Sequence, residues 1–377
     1  MVNQEHFKII IMVDVIKNIA DMESIKDSIN NLADRYKLPL LRYEWLKNTA
    51  DNTCPPAKLY FVIISNGSEI DAIAPLVLIR NNISERLEII GTSLHKEPGG
   101  FLYKDAESLQ LMLEVILKLK KPVFIKGIRI FSPESVLLEP ILRNNKRFSL
   151  IKDSSIPFLP IAESWECFEK KISSSRRSSL KRLERIGKDM GDYKVEIFVP
   201  ASDEVDKYIT DVFEVEASGW KQRMGTAMKS NSRLGKFFQF YARDAAELGF
   251  LRLCFLKINN KPIAAQIGIV YAGRFWSLKI GYDEKYSKCS PGILMMNEMI
   301  RYSFNNKLEA VELLGSDEQW LHIWTNHIRR LITYNIYSSK INGAFDLFID
   351  YSSSLLSKLE YQVIKRLNNS QLSNAKS

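Results

Sequence analysis

The chain has 377 residues, which is enough for two domains of ordinary size. Its residues are 46% hydrophobic and 26% charged, a balance that excludes a mainly disordered, collagen-like or coiled-coil protein. The formal net charge of +9 favours a phosphate-bearing partner and determines no fold. The four cysteines lie far apart without a Cys-x-x-Cys pair, so we expect neither a metal site nor a secreted disulfide framework.

No apolar run reaches ~18 residues, the length that a membrane-spanning helix needs. Residues 1–17 carry acidic and basic side chains around a short apolar run, and they lack the pattern of a secretory signal. We therefore expect a cytoplasmic protein without membrane insertion.

The first half of the chain opens with an apolar strand and a helix that has apolar residues every three or four positions. A hairpin follows, in which two alternating strands flank a turn at residues 65–68. After it come a strand, a loop at Pro98-Gly99, a helix and a last strand. The predicted ranges are strands 7–13, 58–64, 69–79, 87–91 and 123–130, with helices 22–36 and 109–119.

The second half repeats this order of elements. When Asn66 is aligned with Asn259, the second hairpin, strand, Pro-Gly loop, helix and strand fall in register with the first copy. The predicted ranges are strands 193–199, 251–258, 261–270, 275–281 and 310–314, a helix opening at residue 203, and helices 234–248 and 293–304. This internal duplication predicts an α+β protein in which each copy has a mostly antiparallel sheet and one crossover.

A basic segment, Lys170–Lys188, lies between the two copies and holds eight Lys or Arg residues against one Glu. Serines near its start can cap a helix, and a thin apolar stripe follows. Its charges fit a solvated helix face, a contact for ligand phosphates, or sequence-independent contacts to tRNA. The predicted division is an N-terminal domain 1–160, a basic linker helix 161–192, a C-terminal domain 193–343, and a terminal helix and tail 344–377.

Four segments of the chain resemble the GNAT acyltransferase fold. They are Gly219-Trp220-Lys221, the strand that begins Lys261-Pro262-Ile263, the run GYDEKYSKCSPGILM at 281–295, and Leu313-Leu314-Gly315. The chain is similar to tandem GNAT proteins of the branch that includes CelD-type acetyltransferases of polysaccharide biosynthesis, and more distantly to FemXAB aminoacyl transferases. The resemblance implies two tandem GNAT-like domains, the first of them non-catalytic.

In the GNAT fold, the pyrophosphate of coenzyme A binds where a Gly-containing loop enters a helix. Free N–H groups and the positive end of the helix dipole attract an anion there. The matching place is Pro291-Gly292, and Ser290 is the predicted N-cap. The resemblance therefore implies that acetyl-CoA or another acyl-CoA binds here. The implied cofactor-binding residues are Lys279, Ile280, Gly281, Lys285, Lys288, Ser290, Pro291 and Gly292.

Acyl transfer to an amine requires a base for the proton of the amine and donors for an oxyanion. Backbone N–H groups of residues 277–282, on the strand that is bulged in GNAT proteins, would supply the donors. The predicted catalytic residues are His322, Asp283 and Glu318; Glu318 lies four residues before His322 and could orient it on a helix. The alternative is that His322 is a solvated surface residue. Cys289, next to a helix start, could be a nucleophile, but a packing role is favoured because no His is near in sequence.

The predicted acceptor contacts are Trp220, Lys221, Gln266 and Tyr282. One departure from the resemblance is Trp320-Leu321, which stands where relatives often carry Tyr-Lys. The leading hypothesis is a CoA-dependent N-acyltransferase, by default an N-acetyltransferase, that acts on an amino sugar or small amine. The alternatives are a FemXAB-like transferase that uses aminoacyl-tRNA, and an inactive GNAT pair that serves as a binding protein. We expect no DNA partner.

Overall fold

The computed structural model describes residues 11–52, 58–80, 85–92, 94–95, 97–219, 223, 227–338, 343–345, 347–349 and 352. These residues form two compact units. The first unit takes in the described parts of Met1–Ser154 and Arg330–Leu356, and the second takes in those of Ser155–Arg329. Over these described ranges, no helix is both long and apolar enough to cross a bilayer.

The secondary structure alternates between strands and helices in the order that the duplication predicts. The elements are β1 (Ile11–Ile16), α1 (Ile19–Ser24), α2 (Lys26–Arg35), α3 (Tyr43–Asn52), β2 (Lys58–Leu59), β3 (Phe61–Asn66), β4 (Glu69–Ala74), β5 (Leu76–Arg80), β6 (Glu85–Ile89), β7 (Leu102–Tyr103), α4 (Ala106–Lys118), β8 (Val123–Arg129), α5 (Pro133–Asn144), β9 (Arg147–Pro160), α6 (Trp165–Lys171), α7 (Ser174–Asp189), β10 (Tyr193–Phe198), α8 (Val205–Ala217), α9 (Ser232–Glu247), β11 (Leu251–Ile258), β12 (Lys261–Tyr271), β13 (Arg274–Tyr282), α10 (Pro291–Asn305), β14 (Ala310–Glu312) and β15 (Ile328–Ser338). Short 3₁₀ helices cover Pro39–Leu41, Glu284–Cys289 and Gln319–Ile323.

The first unit contains two groups of paired strands. One group has the order β1-β3-β4-β7, and all its neighbours are antiparallel. The other has the order β15-β8-β6-β5-β2, in which only β6 and β8 are parallel. Helices α4 and α5 contribute Leu113, Ile116 and Leu138 to the buried core against these strands.

The predicted first hairpin is confirmed, with one difference. Strands β3 and β4 pair across a turn at Gly67, whose positive φ of 61° suits glycine. Each arm of the hairpin is interrupted, at Tyr60 and at Pro75, and the short outer pieces β2 and β5 pair in the other group. Proline has no N–H to donate to a ladder, so Pro75 ends the pairing that the alternating pattern alone would continue.

The second unit is organised around one sheet of order β10-β11-β12-β13-β14-β9. All its neighbours are antiparallel except β13 and β14, which are parallel and joined through α10. Side chains of α6, α7 and α10 share one buried core with the sheet, including Phe168, Leu183 and Met295. Helix α8 packs against β12 and β13. Both units are therefore mixed α and β with mostly antiparallel sheets flanked by helices, as predicted.

The two units do not follow a linear division of the chain. Residues 158–160 of β9 pair with β14 in the second unit, whereas β15, which comes after the second copy, pairs with β8 in the first. Residues 330–338, which the sequence assigns to the C-terminal domain 193–343, therefore belong to the first unit. The reason is that an edge strand pairs with whichever complementary edge it reaches, and the repeat pattern does not state which edge that is.

The basic segment between the copies is part of the second unit. Helix α6 stacks Phe168 on Phe304 of α10 at 4.8 Å between ring centroids, and α7 buries Leu183 in the same core. The predicted linker helix 161–192 thus corresponds to two packed helices. Of the predicted terminal segment 344–377, residues 344–345, 347–349 and 352 are helical, and the rest lies outside the described residues.

One buried carboxylate, Glu312 at the end of β14, holds two arginines of the second unit. Its oxygens accept hydrogen bonds from Arg274 Nη1 at 3.0 Å and from Arg329 Nε at 2.9 Å and Nη2 at 2.6 Å. The Glu312 side chain is 5% exposed, while the Arg274 and Arg329 side chains are 25% and 19% exposed. Removal of this carboxylate would leave two half-buried guanidinium groups without their shared acceptor.

We predict that Glu312→Ala lowers the free energy of unfolding of the second unit by at least about 2 kcal/mol, because breaking a buried ion pair leaves uncompensated charge. Denaturant unfolding followed by tryptophan fluorescence measures this, since five of the six tryptophans belong to Ser155–Arg329.

The matched control is Glu309→Ala. Glu309 also faces Arg274, at 3.8 Å from Nε, but its side chain is 54% exposed. We expect a change below about 0.5 kcal/mol for this variant. Equal effects of the two substitutions would contradict the role given to Glu312.

Candidate functional site

The candidate site lies where strands β13 and β14 part. Within the described residues, the parallel pairing joins Arg274–Trp276 to Ala310–Glu312 only, so β13 continues past the end of its neighbour. On its other edge, β13 pairs with β12 in a register that shifts between Ile267 and Gly268. That shift leaves Leu278 as the extra residue of a bulge, which confirms a bulged strand at the predicted position 277–282.

The chain enters α10 at this opening, and no side chain caps the helix start with a hydrogen bond. After the 3₁₀ helix Glu284–Cys289, Ser290 adopts a left-handed conformation with φ of 48°, and α10 begins at Pro291. The first turn contains no acidic residue, and the Ser290 side chain makes no capping hydrogen bond. The predicted cap by Ser290 is therefore wrong in its chemistry, because the left-handed backbone occupies the place of an extended N-cap. The exposed side chains of Lys285 and Lys288 flank this start.

Gly292 brings the helix start against the end of β13. A Cβ atom placed on Gly292 would lie 3.1 Å from Cδ1 of Tyr282, so the tyrosine ring borders the glycine directly. The predicted cofactor residue Gly292 and the predicted acceptor residue Tyr282 are thus neighbours. A larger side chain at 292 would have to displace this ring or fill the space above the helix start.

The corresponding place in the first unit is closed. A Cβ atom on Gly99 would lie 2.4 Å from Cγ2 of Ile89, and strand β7 follows the loop before any helix. Helix α4 then starts with a capping box in which the Asp105 side chain accepts from Ser108 N at 2.9 Å, and Glu107 adds a second carboxylate. An anion would meet carboxylates there, whereas the first turn of α10 contains no acidic residue.

Side chains of β13 alternate between the two faces of the sheet. The Lys279 ammonium lies 5.4 Å from the ring centroid of Phe238 on α9, while Ile280 packs in the core beneath α10. A Cβ atom on Gly281 would lie 2.6 Å from Cα of Glu216, so α8 passes directly against this strand. The predicted cofactor residues therefore separate: Lys279 and Gly281 face α8 and α9, and the others border α10.

Glu216, near the end of α8, is a buried carboxylate beside the site. It is not among the residues predicted from the sequence. It is 3% exposed, and its Oε2 accepts from Met228 N at 2.8 Å. A signal was present, because Glu216 continues the helical spacing of Val205, Ile209 and Val212 on the buried face. A carboxylate on an apolar stripe indicates a buried polar role.

Asp283 has a capping role in the structure. Its Oδ1 accepts from Lys285 N at 3.0 Å, its Oδ2 lies 3.7 Å from the Lys261 ammonium, and the residue is 5% exposed. These contacts hold the turn between β13 and the 3₁₀ helix. They leave Asp283 a less accessible carboxylate than its position at the strand end suggested.

His322 is paired with Asp317, which differs from the predicted partner. His322 Nε2 lies 2.7 Å from Asp317 Oδ1, whereas Glu318 accepts from Trp320 Nε1 at 2.5 Å. The expectation that Glu318 orients His322 is wrong because residues 319–323 form a 3₁₀ helix, in which positions four apart do not share a face. The arrangement still gives His322 a carboxylate partner.

Two further acceptor predictions concern the sheet and the loop after α8. Gln266 is fully buried and donates from Nε2 to Ser277 Oγ at 2.7 Å. Trp220 and Lys221 lie outside the described residues. The residue before them, Gly219, is described, and its Cβ position lies 3.0 Å from the carbonyl oxygen of Tyr282. Arg223 forms a two-point ion pair with Glu284, at 2.8 and 3.0 Å.

Cys289 has the environment of a packing residue. Burial raises the pKa of its thiol, and its Sγ donates to the carbonyl oxygen of Tyr286 at 3.2 Å. A raised pKa keeps the thiol protonated as the pH rises through the range where an ordinary cysteine ionises. This is the opposite of what a nucleophile requires.

We predict that iodoacetamide at about pH 8 alkylates the exposed Cys167 at least about tenfold faster than Cys289 or Cys254 in the folded protein. Burial also raises the pKa of Cys254. Peptide mapping by mass spectrometry gives the rate at each cysteine, with urea-unfolded protein as the control. Rapid native labelling of Cys289 would restore the nucleophile hypothesis.

The comparisons with known proteins agree with this geometry. Residues 174–321, all within the second unit, match the model of the acetyltransferase (GNAT) domain family. No curated protein sequence matches the chain.

Several solved structures are similar over most of the chain. The structure of FemX shares 10% sequence identity with this chain and has a TM-score of 0.57. The alignment covers 85% of this chain and 98% of the FemX chain. A conserved protein of unknown function from Bacteroides thetaiotaomicron shares 11% identity over 86% and 100%, with a TM-score of 0.52. The L-PGS structure from Bacillus licheniformis shares 12% identity over 93% and 97%, with a TM-score of 0.51. Identities this low indicate a common fold. The family match over residues 174–321 supports an acyltransferase whose GNAT domain lies in the second unit.

Proposed function

We propose that the second unit transfers an acyl group, by default acetyl, from acyl-CoA to the amine of a small acceptor. One observation carries this proposal: the start of α10 has no capping side chain and no acid, while its counterpart α4 is capped by Asp105. Backbone N–H groups at a helix start bind phosphate oxygens when nothing else occupies them. The first unit would then have a structural role.

Acyl-CoA would supply an acyl group activated as a thioester. The backbone N–H of Gly292 would donate to its pyrophosphate, because Pro291 has no N–H and the Ser290 N–H already donates to the carbonyl oxygen of Ser287. Lys285 and Lys288 would add positive charge. At the bulge, the backbone N–H groups of β13 beside Leu278 would be free to donate to the oxygen of the acyl carbonyl. In a regular strand pairing, the neighbouring strand would occupy these N–H groups. Lys279 lies over Phe238 on the other face, so we assign it to the acceptor side of the strand.

His322 would take the proton that the acceptor ammonium must lose, and Asp317 would orient the imidazole and stabilise it when charged. Glu216 is the rival base, since it is a buried carboxylate next to Gly281 on the opposite face of β13. Asp283 ranks below both because its carboxylate is used by the turn that it caps.

The acceptor is proposed by resemblance. The likeness to CelD-type acetyltransferases favours an amino sugar in the biosynthesis of a cell-surface polysaccharide. A small amine of another kind would need the same chemistry at Tyr282 and Gln266. These two residues border the cofactor loop and the buried strand β12, respectively.

A second candidate is a transferase that uses aminoacyl-tRNA. The observation that favours it is the face of α7, where Lys181, Arg182 and Arg185 are all exposed. The similarity of fold to FemX is consistent with this alternative. Binding of tRNA would weaken steeply with salt, because phosphate contacts release counterions.

We predict that Gly292→Val weakens acetyl-CoA binding at least about tenfold, because a branched side chain would occupy the space between the helix start and Tyr282. Isothermal titration with acetyl-CoA measures the affinity, and circular dichroism verifies folding.

The matched control is Ile293→Val, which places valine one position further along the same helical turn. This variant should bind acetyl-CoA as the unmodified protein does. Unchanged affinity in a folded Gly292→Val protein would falsify the cofactor site. Saturable binding of tRNA in place of acetyl-CoA would favour the second candidate.

We predict that His322→Ala lowers kcat about 100-fold or more and leaves the acetyl-CoA affinity intact, as expected for loss of a general base. Asp317→Asn should lower kcat by about tenfold, since it removes the charge that supports His322. Steady-state rates with an amine acceptor, measured from pH 6 to 9, test both. A large loss with Glu216→Gln and none with His322→Ala would assign the base to α8.

A further inference from the structure

The second unit contains a cavity whose wall includes His322, the proposed base, but whose other lining residues have no role in the proposed acyl transfer. It has a volume of about 570 Å³, within the ~300–1,000 Å³ range of small-molecule sites. Its walls come from the end of β9, the adjoining ends of α6 and α7, and the segment 322–327 that follows β14. All of these residues belong to the same unit.

The α7 wall of this cavity is remote from the start of α10. Gly187, near the last turn of α7, approaches Cys289, because a Cβ atom on Gly187 would lie 3.9 Å from Cβ of Cys289. Ser173, at the other end of α7, lines the cavity. At ~1.5 Å per residue, the fourteen residue steps from Ser173 to Gly187 span roughly 21 Å along the helix axis. A ligand held at Ser173 therefore does not contact Cys289, which precedes α10.

The polar lining of the cavity is mostly cationic. Lys171, Arg176, His322 and His327 line it, against a single acid, Glu163. Glu163 is already paired with Lys171 at 2.7 Å. Arg176 is exposed, and within the described residues no carboxylate forms an ion pair with it. His322 is already paired with Asp317, so the cavity offers the Arg176 guanidinium and the His327 imidazole as donors to an anion.

The rest of the lining is apolar. Phe168, Ile172 and Trp324 are buried core residues that also face the cavity. A free inorganic anion would leave this surface unused, and a neutral apolar compound would leave the arginine without a partner. The lining therefore fits a molecule with a hydrocarbon or aromatic body and an anionic end.

We propose that this cavity binds an organic phosphate, with the phosphate held by Arg176 and the imidazole of His327, and the organic body against Trp324 and Phe168. A guanidinium group binds two oxygens of a phosphate through a pair of parallel hydrogen bonds, and an imidazole N–H can donate to the third. The proposal does not depend on acyl transfer, because it concerns binding to the protein without acyl-CoA.

Phenyl phosphate is the probe, since it joins a phosphate monoester to an aromatic ring. Isothermal titration should give saturable binding that is at least about tenfold tighter than binding of phenol or of inorganic phosphate. Arg176→Ala should weaken the binding of phenyl phosphate at least about tenfold. The matched control is Arg182→Ala, which removes an exposed arginine from the same helix outside the cavity and should leave affinity unchanged.

Three results would overturn the proposal. Phenyl phosphate could fail to bind at about 5 mM, Arg182→Ala could weaken it as much as Arg176→Ala does, or phenol could bind equally well. A fourth readout separates this cavity from the acyl-CoA site: Gly292→Val should leave phenyl phosphate binding intact. If Gly292→Val abolishes it and Arg176→Ala does not, the probe occupies the start of α10 and the cavity assignment is wrong.

Discussion

The short parallel pairing between β13 and β14 is the constraint on which the second unit depends. Parallel neighbours cannot be joined by a tight turn, so the chain must cross over, and α10 is that crossover. Because the pairing stops after three residues of each strand, β13 runs on to the point where the crossover begins, paired there with β12 on its other edge. The bulge at Leu278, the ring of Tyr282 and the start of α10 meet there for this topological reason.

The two units have the same order of elements, but the loop before the helix is open in the second unit and closed in the first. A few residues account for this difference. In the second unit, the helix starts directly at Pro291. In the first, Pro98 occupies the equivalent place, but a short strand intervenes and the helix begins only at Ala106, behind the carboxylate of Asp105. Ile89 fills the space beside Gly99 that the ring of Tyr282 borders in the other unit. A charge and a side-chain volume distinguish the closed loop of the first unit from the uncapped helix start of the second.

The elements themselves could be predicted from the sequence, because alternation, helical spacing and Gly-rich turns are local. The hairpins, α4, β8, α9, α10 and the bulged strand all agree with the predicted order. The hydrogen-bond partners of single side chains could not be predicted, because they depend on backbone geometry that the sequence pattern does not encode. His322 pairs with Asp317 because its segment is a 3₁₀ helix, and Ser290 fails to cap because its φ is positive. Glu216 could have been found from its place on the buried stripe of α8.

The strand that follows each duplicated half pairs in the other half, and this exchange ties the two halves together. A cut anywhere between residues 161 and 192 would give one fragment without β15, which pairs with β8, and another without residues 158–160, which pair with β14. Each fragment would expose an unpaired strand edge, the kind of surface that recruits a second chain. Descent from a simple head-to-tail doubling of a gene would therefore have required the end of each copy's final strand to pair in the other copy. After that exchange, loss of either copy would remove a pairing partner from the one that remained.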